Sequence, residues 1–162
     1  MRCGAGGVDR PAVSRIRLRE VRPGDLEALH RLDQACFEAD VAYTQGQLRY
    51  FLSRADSCGI VAEVDGALAG FAIGHRSGAR GHVVTIDVAA AHRRSGVGRA
   101  LLRELVRRLE ESGARRVRLE VDLRNDGAIR FYESLGFRES RRLRGYYGPG
   151  LDGLEMVRDG EG

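Results

Sequence analysis

Residues 93–98 read Arg-Arg-Ser-Gly-Val-Gly, set between an apolar strand pattern, Val83-Val84-Thr85-Ile86-Asp87-Val88, and a long amphipathic stretch, Gly98–Ser112. Strand, glycine loop and helix in that order turn backbone N–H groups into an anion cradle. A helix N-terminus carries about half a positive charge and several unpaired donors, which suits a pyrophosphate. Gly96 and Gly98 lack Cβ and let the backbone come close to phosphate oxygens. A P-loop of NTPase type is excluded, because it needs a lysine on the terminal phosphates and all 27 basic residues here are arginine. A dinucleotide fingerprint needs GxGxxG straight after a first strand and an acidic residue about 20 positions later, whereas this loop is Arg-x-x-Gly-x-Gly and lies mid-chain. The remaining local alternative is a glycine turn that only caps a helix.

The chain has 162 residues, 43% hydrophobic and 31% charged, which fits one globular domain with a real core. No apolar run approaches the roughly 18 residues of a membrane span. Residues 1–14 are glycine-rich and lack the apolar stretch of a secretory signal, so they read as a disordered tail. The domain is expected over 15–158, with 159–162 a C-terminal fray. Cys3, Cys36 and Cys58 are odd in number and widely spaced, without CxxC or HExxH. They point to reduced thiols in a cytoplasm and to no metal site. His30, His75, His82 and His92 show no ligand spacing and read as structural or surface residues.

Periodicity predicts a strand over 16–21, a helix after Pro23-Gly24-Asp25 with Leu26, Leu29, Leu32 and Cys36 on one face, and a second helix over 44–54. Strands over 60–64 and 67–73 flank the hairpin signal Asp65-Gly66. A strand over 82–89, the helix closed by Gly113, a strand over 116–122, a helix over 128–135 and strands over 137–145 and 151–157 complete the order βααβββαβαββ. Tyr146-Tyr147-Gly148-Pro149-Gly150 is assigned to the last turn. The fold class is α/β: a mixed sheet with helices on its faces, in which the strands at 83–88 and 116–122 run parallel across a right-handed crossover.

These blocks resemble the GCN5-related N-acetyltransferase superfamily over about residues 16–158. The resemblance rests on Arg93-x-x-Gly96-x-Gly98, then Leu119-Glu120-Val121, then Asn125-x-x-Ala128-Ile129-x-x-Tyr132-x-x-x-Gly136-Phe137. Gly81-His82-Val83-Val84-Thr85-Ile86 and Gly145-Tyr146-Tyr147 are similar to the branch that acetylates protein N-termini, the ribosomal-protein-alanine enzymes included. The resemblance implies the acyl-CoA N-acyltransferase fold and acetyl-CoA as donor. It implies that Arg93, Arg94, Ser95, Gly96, Val97, Gly98 and Arg99 hold the pyrophosphate. Ile86, Asp87 and Val88 would form the strand edge along the pantetheine arm, with the Val88 N–H on the thioester carbonyl. Asn125 would bond the cofactor, and Glu120 and Tyr132 would handle protons as general base and general acid. Phe37 and Tyr43, with Tyr146 and Tyr147, would wall the acceptor groove.

The chemistry of the reaction agrees with those residue types. An amine is mostly protonated at neutral pH and must lose a proton to attack a thioester, which a nearby carboxylate can accept. Glu120 stands mid-strand on the face opposite Val117, Leu119 and Val121, where partial burial is expected to raise its pKa. A departing thiolate needs a proton, which a tyrosine hydroxyl can donate. On spacing alone, Glu120 also reads as a solvated partner of Arg118, Tyr132 as a core residue and Asn125 as a helix N-cap. Glu38 replaces the proline common after the matching phenylalanine, and Asp122 and Arg124 stand where Arg and Ser are common.

The expected partners are acetyl-CoA and a peptide or protein N-terminus. Alternative acceptors are a small amine, a polyamine or a lysine side chain, and a non-catalytic acyl-CoA-binding module is the alternative of another class. A monomer or homodimer is expected, without nucleic acid or membrane. Arg138, Arg141, Arg142 and Arg144 form a basic stripe within a net charge of +4, but no nucleic-acid-binding motif accompanies them. They read as a solvated strand edge.

Overall fold

The computed structural model describes residues 15–160. Seven strands form one sheet in the order β1-β2-β3-β4-β5-β7-β6. They are β1 (Ile16–Glu20), β2 (Ser57–Val64), β3 (Ala67–Ser77), β4 (Arg80–Val88), β5 (Arg116–Asp122), β6 (Arg138–Gly148) and β7 (Leu151–Asp159). Four helices cover it: α1 (Leu26–Cys36), α2 (Gln45–Ser53), α3 (Val97–Glu111) and α4 (Asp126–Glu133). The element order is the expected one. Among the described residues no helix is long and apolar enough to cross a membrane.

Side-chain alternation in the strands sorts the core into two layers. Ile60, Ala62 and Ala72 pack under Leu101, Leu102, Leu105 and Leu109 of α3, while Val61, Phe71 and Ile73 pack under Leu29 of α1 and Leu48 of α2. Helix α2 begins on a capping box, with the Thr44 hydroxyl accepting from the Gln47 N–H and the Gln47 side chain returning to the Thr44 N–H.

All neighbouring strands are antiparallel except β4 and β5. That parallel pair is short: Arg80, Gly81 and His82 face Arg116, Val117 and Arg118, and pairing then stops. A β-bulge lies just beyond. Gly74 pairs with Val83 and Ile73 with Thr85, which leaves Val84 as the extra residue. The bulge flips the alternation along β4. Val83 packs into the α3 layer and Val84 into the α1–α2 layer; past the bulge, Ile86 and Val88 turn to the α3 side and Asp87 to α1. The two strands splay, and a gap opens between their C-terminal halves.

The chain termini and turns correct several expectations. β2 starts at Ser57 and β3 runs to Ser77, both longer than their apolar cores suggest. Helix α4 starts at Asp126 and ends at Glu133. Strand β6 extends through Tyr146 and Tyr147 rather than leaving them in the turn, which is only Pro149-Gly150. Asp159, expected in a fray, is paired with Arg116 in register, and its carboxylate takes both Arg116 and Arg138. The tail at 1–14 and residues 161–162 lie outside the described residues. The basic stripe is an exposed edge strand: Arg138, Arg141 and Arg142 reach Asp159, Glu155 and Asp152 of β7.

Leu105 is fully buried where α3 lies over β3, and its methyls would stand 3.1 and 3.2 Å from a Cβ placed on Gly74. Leu105→Ala is expected to cost about 2–5 kcal/mol, read as a lowered urea midpoint with an unchanged slope.

Candidate active site

The mouth of α3 is where the glycine loop acts. Gly96 is its N-cap at φ +92°, a left-handed conformation that side chains resist, and it offers no side-chain acceptor to the helix. The first-turn N–H groups therefore have no side-chain cap from Gly96. Arg94 holds φ +63°, which bends the loop toward that mouth. A cavity of about 610 Å³ opens there, lined by Arg93, Arg94, Gly96, Gly98 and Arg99, by Ile86 and Val88, and by Phe131 and Tyr132. The guanidinium groups of Arg94 and Arg99 and the uncapped amides at one end, and the strand edge of Ile86 and Val88 with Arg93 on the Val88 carbonyl at the other, fit a pyrophosphate followed by an acyl-pantetheine arm.

Not every expected loop residue faces this cavity. The Ser95 hydroxyl turns back to the His92 carbonyl. Val97 is buried in the core, so only its backbone is at the mouth. The Asp87 side chain points away, to α1, and is 1% exposed; the bulge at Val84 puts it there. Asn125 caps α4, accepting from the Ala128 N–H at 3.0 Å, and lies on the neighbouring cavity instead.

The Val88 carbonyl accepts from Arg93 Nε at 3.2 Å and from the Cys36 thiol at 3.5 Å, while the next residue, Ala89, donates to Ala69 of β3. Successive peptide groups of a strand face opposite edges, and one residue's N–H and C=O share an edge. The Val88 N–H thus faces the gap, not β3.

A second cavity of about 520 Å³ fills the gap. Val83–Ile86 form one wall and Leu119–Asp122 the other, and Phe37, Tyr43 and Tyr147 close the outside. Phe37, Ile86 and Tyr132 line both cavities, so the two meet at these residues. Tyr146 is half-exposed beside the gap, its ring edge-on to Tyr147 at 4.9 Å.

Glu120 faces this second cavity with its side chain 11% exposed. Its Oε1 meets His82 Nε2 at 2.8 Å and its Oε2 accepts from Arg118 at 2.5 Å. His82 Nδ1 in turn stands 3.4 Å from His75 Nε2. Burial pushes the Glu120 carboxyl up, as expected, but His82 and Arg118 outweigh it and hold the group below its ordinary value. Position, not a raised pKa, is what this carboxylate offers. His82 was not legible as a site residue because its partner lies 38 positions away. The signal available was the parallel register itself, which sets His82 beside Arg118. Tyr132 sits against Phe131 and Phe137, and burial pushes its phenol up, so the hydroxyl stays protonated at neutral pH.

A splayed parallel pair, an uncapped helix mouth ringed by arginines and a carboxylate in the gap together define an acyl-CoA N-acyltransferase. The chain belongs to the acetyltransferase (GNAT) family, whose model matches residues 26–137, and it is an acetyl-CoA-dependent N-acetyltransferase. It is 31% identical to an N-alpha-acetyltransferase of Sulfurisphaera tokodaii, over 87% of this chain and 91% of the relative. Among solved structures, the ribosomal-protein-S18-alanine N-acetyltransferase of Escherichia coli superposes with a TM-score of 0.81 at 28% identity, over 90% of this chain and 94% of that one. Arabidopsis thaliana NAA60 in complex with acetyl-CoA gives 0.80 at 26% identity, over 91% and 100%.

Gly96→Ala forces a Cβ into φ +92°, a strain of about 1–2 kcal/mol. Calorimetric titration is expected to show coenzyme A affinity lowered about tenfold, with the helical circular-dichroism signal kept.

Proposed function

We propose that this enzyme moves an acetyl group from acetyl-CoA to the α-amine of a protein or peptide N-terminus, with Glu120 taking the amine proton and Tyr132 returning one to the thiolate. One observation carries the reading: the Glu120 carboxylate faces a cavity that adjoins the donor cavity at Tyr132 and Ile86. Similarity to the alanine and α-amine acetyltransferases above supports the acceptor class.

Acetyl-CoA supplies the thioester to be attacked. The amides of Val97, Gly98 and Arg99 and the guanidinium groups of Arg94 and Arg99 hold its diphosphate, while Arg93, bonded to the Val88 carbonyl, braces the strand edge along the arm. Ile86 and Val88 guide the arm, and the Val88 N–H steadies the carbonyl oxygen as negative charge grows there. Glu120, ionised across neutral pH, accepts the ammonium proton, with His82 and Arg118 fixing the direction of its oxygens. The Tyr132 hydroxyl, protonated because it is buried, donates to the leaving sulfur. Phe37, Tyr43 and Tyr147 exclude water around the amine. Tyr146 stands beside Glu120, and burial first and then that carboxylate push its phenol up. Asn125 supports the rim through its cap on α4.

The acidic Glu38 and Asp40 also line the acceptor cavity, which favours an acceptor with a further positive charge. A polyamine or lysine side chain is the second reading.

Thiol release measured against alanine-, serine- and lysine-bearing peptides and polyamines discriminates the readings. Peptide α-amines are expected to be preferred; turnover with polyamines alone would replace this proposal by the second. Glu120→Gln is expected to lower kcat by about 10²–10⁴-fold with coenzyme A affinity unchanged. Full turnover in that variant would remove Glu120 from the chemistry. Tyr132→Phe is expected to slow thiol release with a normal melting temperature, and a loss of stability alone would leave Tyr132 a core residue.

A further inference from the structure

Two aspartates meet in the interior where α1 crosses β4. Asp33 is 0% exposed and Asp87 is 1% exposed. Asp33 Oδ2 accepts from the Tyr43 backbone N–H at 2.6 Å, and Asp87 Oδ1 accepts from the Thr85 hydroxyl at 2.6 Å. The other oxygen of each, Asp33 Oδ1 and Asp87 Oδ2, is buried without a donor. Asp33 is, after burial, what pushes the Asp87 carboxyl up, which puts the two side chains next to each other. Two ionised carboxylates cannot share such a site, and an orphan buried oxygen is costly. A proton kept on Asp87 removes one of the two charges and gives the pair a donor.

We propose that Asp87 keeps a proton that it shares with Asp33 through a hydrogen bond and that this acid pair locks the acceptor wall, residues 37–43, onto β4, so that acceptor binding weakens when the proton is lost. The proposal rests on the reading of 37–43 as that wall. The Tyr43 peptide is held from both sides, its N–H by Asp33 and its C=O by the Gln34 amide at 3.0 Å. Asp87 directly precedes Val88, so the pair ties the wall to the strand residue whose N–H faces the gap. Asp33 and Asp87 are positioning residues; neither lines a cavity.

The groups facing the pair are few. Helix α1 adds the Cys36 thiol, pushed up first by burial and then by Asp87. The wall adds the Tyr43 phenol, pushed up first by burial and then by Asp33. From the β4–α3 loop, Arg93 reaches the Cys36 sulfur and the Val88 carbonyl instead of the carboxyls. Burial, then the Asp33 contact, pushes the Asp87 carboxyl up to about 8. A carboxyl that holds its proton more tightly folded than unfolded stabilises fully below the ordinary carboxylate range and loses that contribution as pH rises through its folded value.

Asp87→Asn keeps a donor toward Asp33 and removes the titration; Asp33→Asn, which can still accept from Tyr43, serves if the first variant does not fold. Infrared spectra of the wild type at neutral pH are expected to contain an un-ionised carboxyl C=O band that either variant loses. The melting temperature of the wild type is expected to fall behind the variant by about 5 °C or more between about pH 6 and about pH 9.5. The wild-type KM for an acceptor peptide, taken as a ratio to the variant to cancel ionisation of the amine itself, is expected to climb by up to about tenfold per pH unit above about pH 8, with kcat following the variant. A missing carboxyl band with parallel melting curves overturns the shared proton, and a flat KM ratio overturns its link to acceptor binding. The infrared and melting arms need no acceptor, so an enzyme inactive on peptides would refute the proposed function without touching them.

Discussion

The short parallel contact between β4 and β5 is what the site depends on. Three paired residues hold the strands together at one end, and the bulge at Val84 lets them separate at the other. A fully paired sheet would fill this space with backbone hydrogen bonds. Here the Val88 N–H is turned to the edge away from β3, and Glu120 looks into a cavity. The gap is stable because both sheet faces remain packed: α3 covers one side with Leu101, Leu102 and Leu105, and α1 and α2 cover the other with Leu29 and Leu48. The long antiparallel pairings of β5 with β7 and of β3 with β4 anchor the two flaps of the opening.

The same gap arranges the chemistry by charge. Arg94, Arg99 and the helix amides gather at the end proposed for the diphosphate. The carboxylate of Glu120 and the acidic Glu38 and Asp40 gather at the end proposed for the amine. Tyr132 stands at the junction, buried enough to keep its proton. On the proposed reading, opposite charge at the two ends would steer an anionic donor and a cationic acceptor toward each other.

Local signals made much of this legible in the sequence. The apolar face of α3 and the Gly96 turn are short-range patterns, and both stand where the sequence puts them. Glu120 on the face opposite Val117, Leu119 and Val121 followed from strand alternation. What escaped depends on register and long-range meeting. Strict alternation from Val83 would place Asp87 with Val83; the extra residue at Val84 reverses that and buries it against α1. His82 looked like a scattered histidine because its partner is on another strand. The pKa of Glu120 came out on the other side of its ordinary value because burial was legible and the His82 and Arg118 contacts were not. Tyr146 and Tyr147 sit in β6 because pairing with β7 carries the hairpin on to Gly148.

The central claim is that the α3 mouth and the adjoining gap receive the donor. Backbone amide chemical shifts recorded during titration with coenzyme A test it most directly. The account predicts that the largest changes fall on Val97, Gly98 and Arg99 and on Val88. Changes concentrated instead on Arg22, Ser57 and Gly59, around the separate cavity of about 550 Å³ that they line with Arg108, would contradict it.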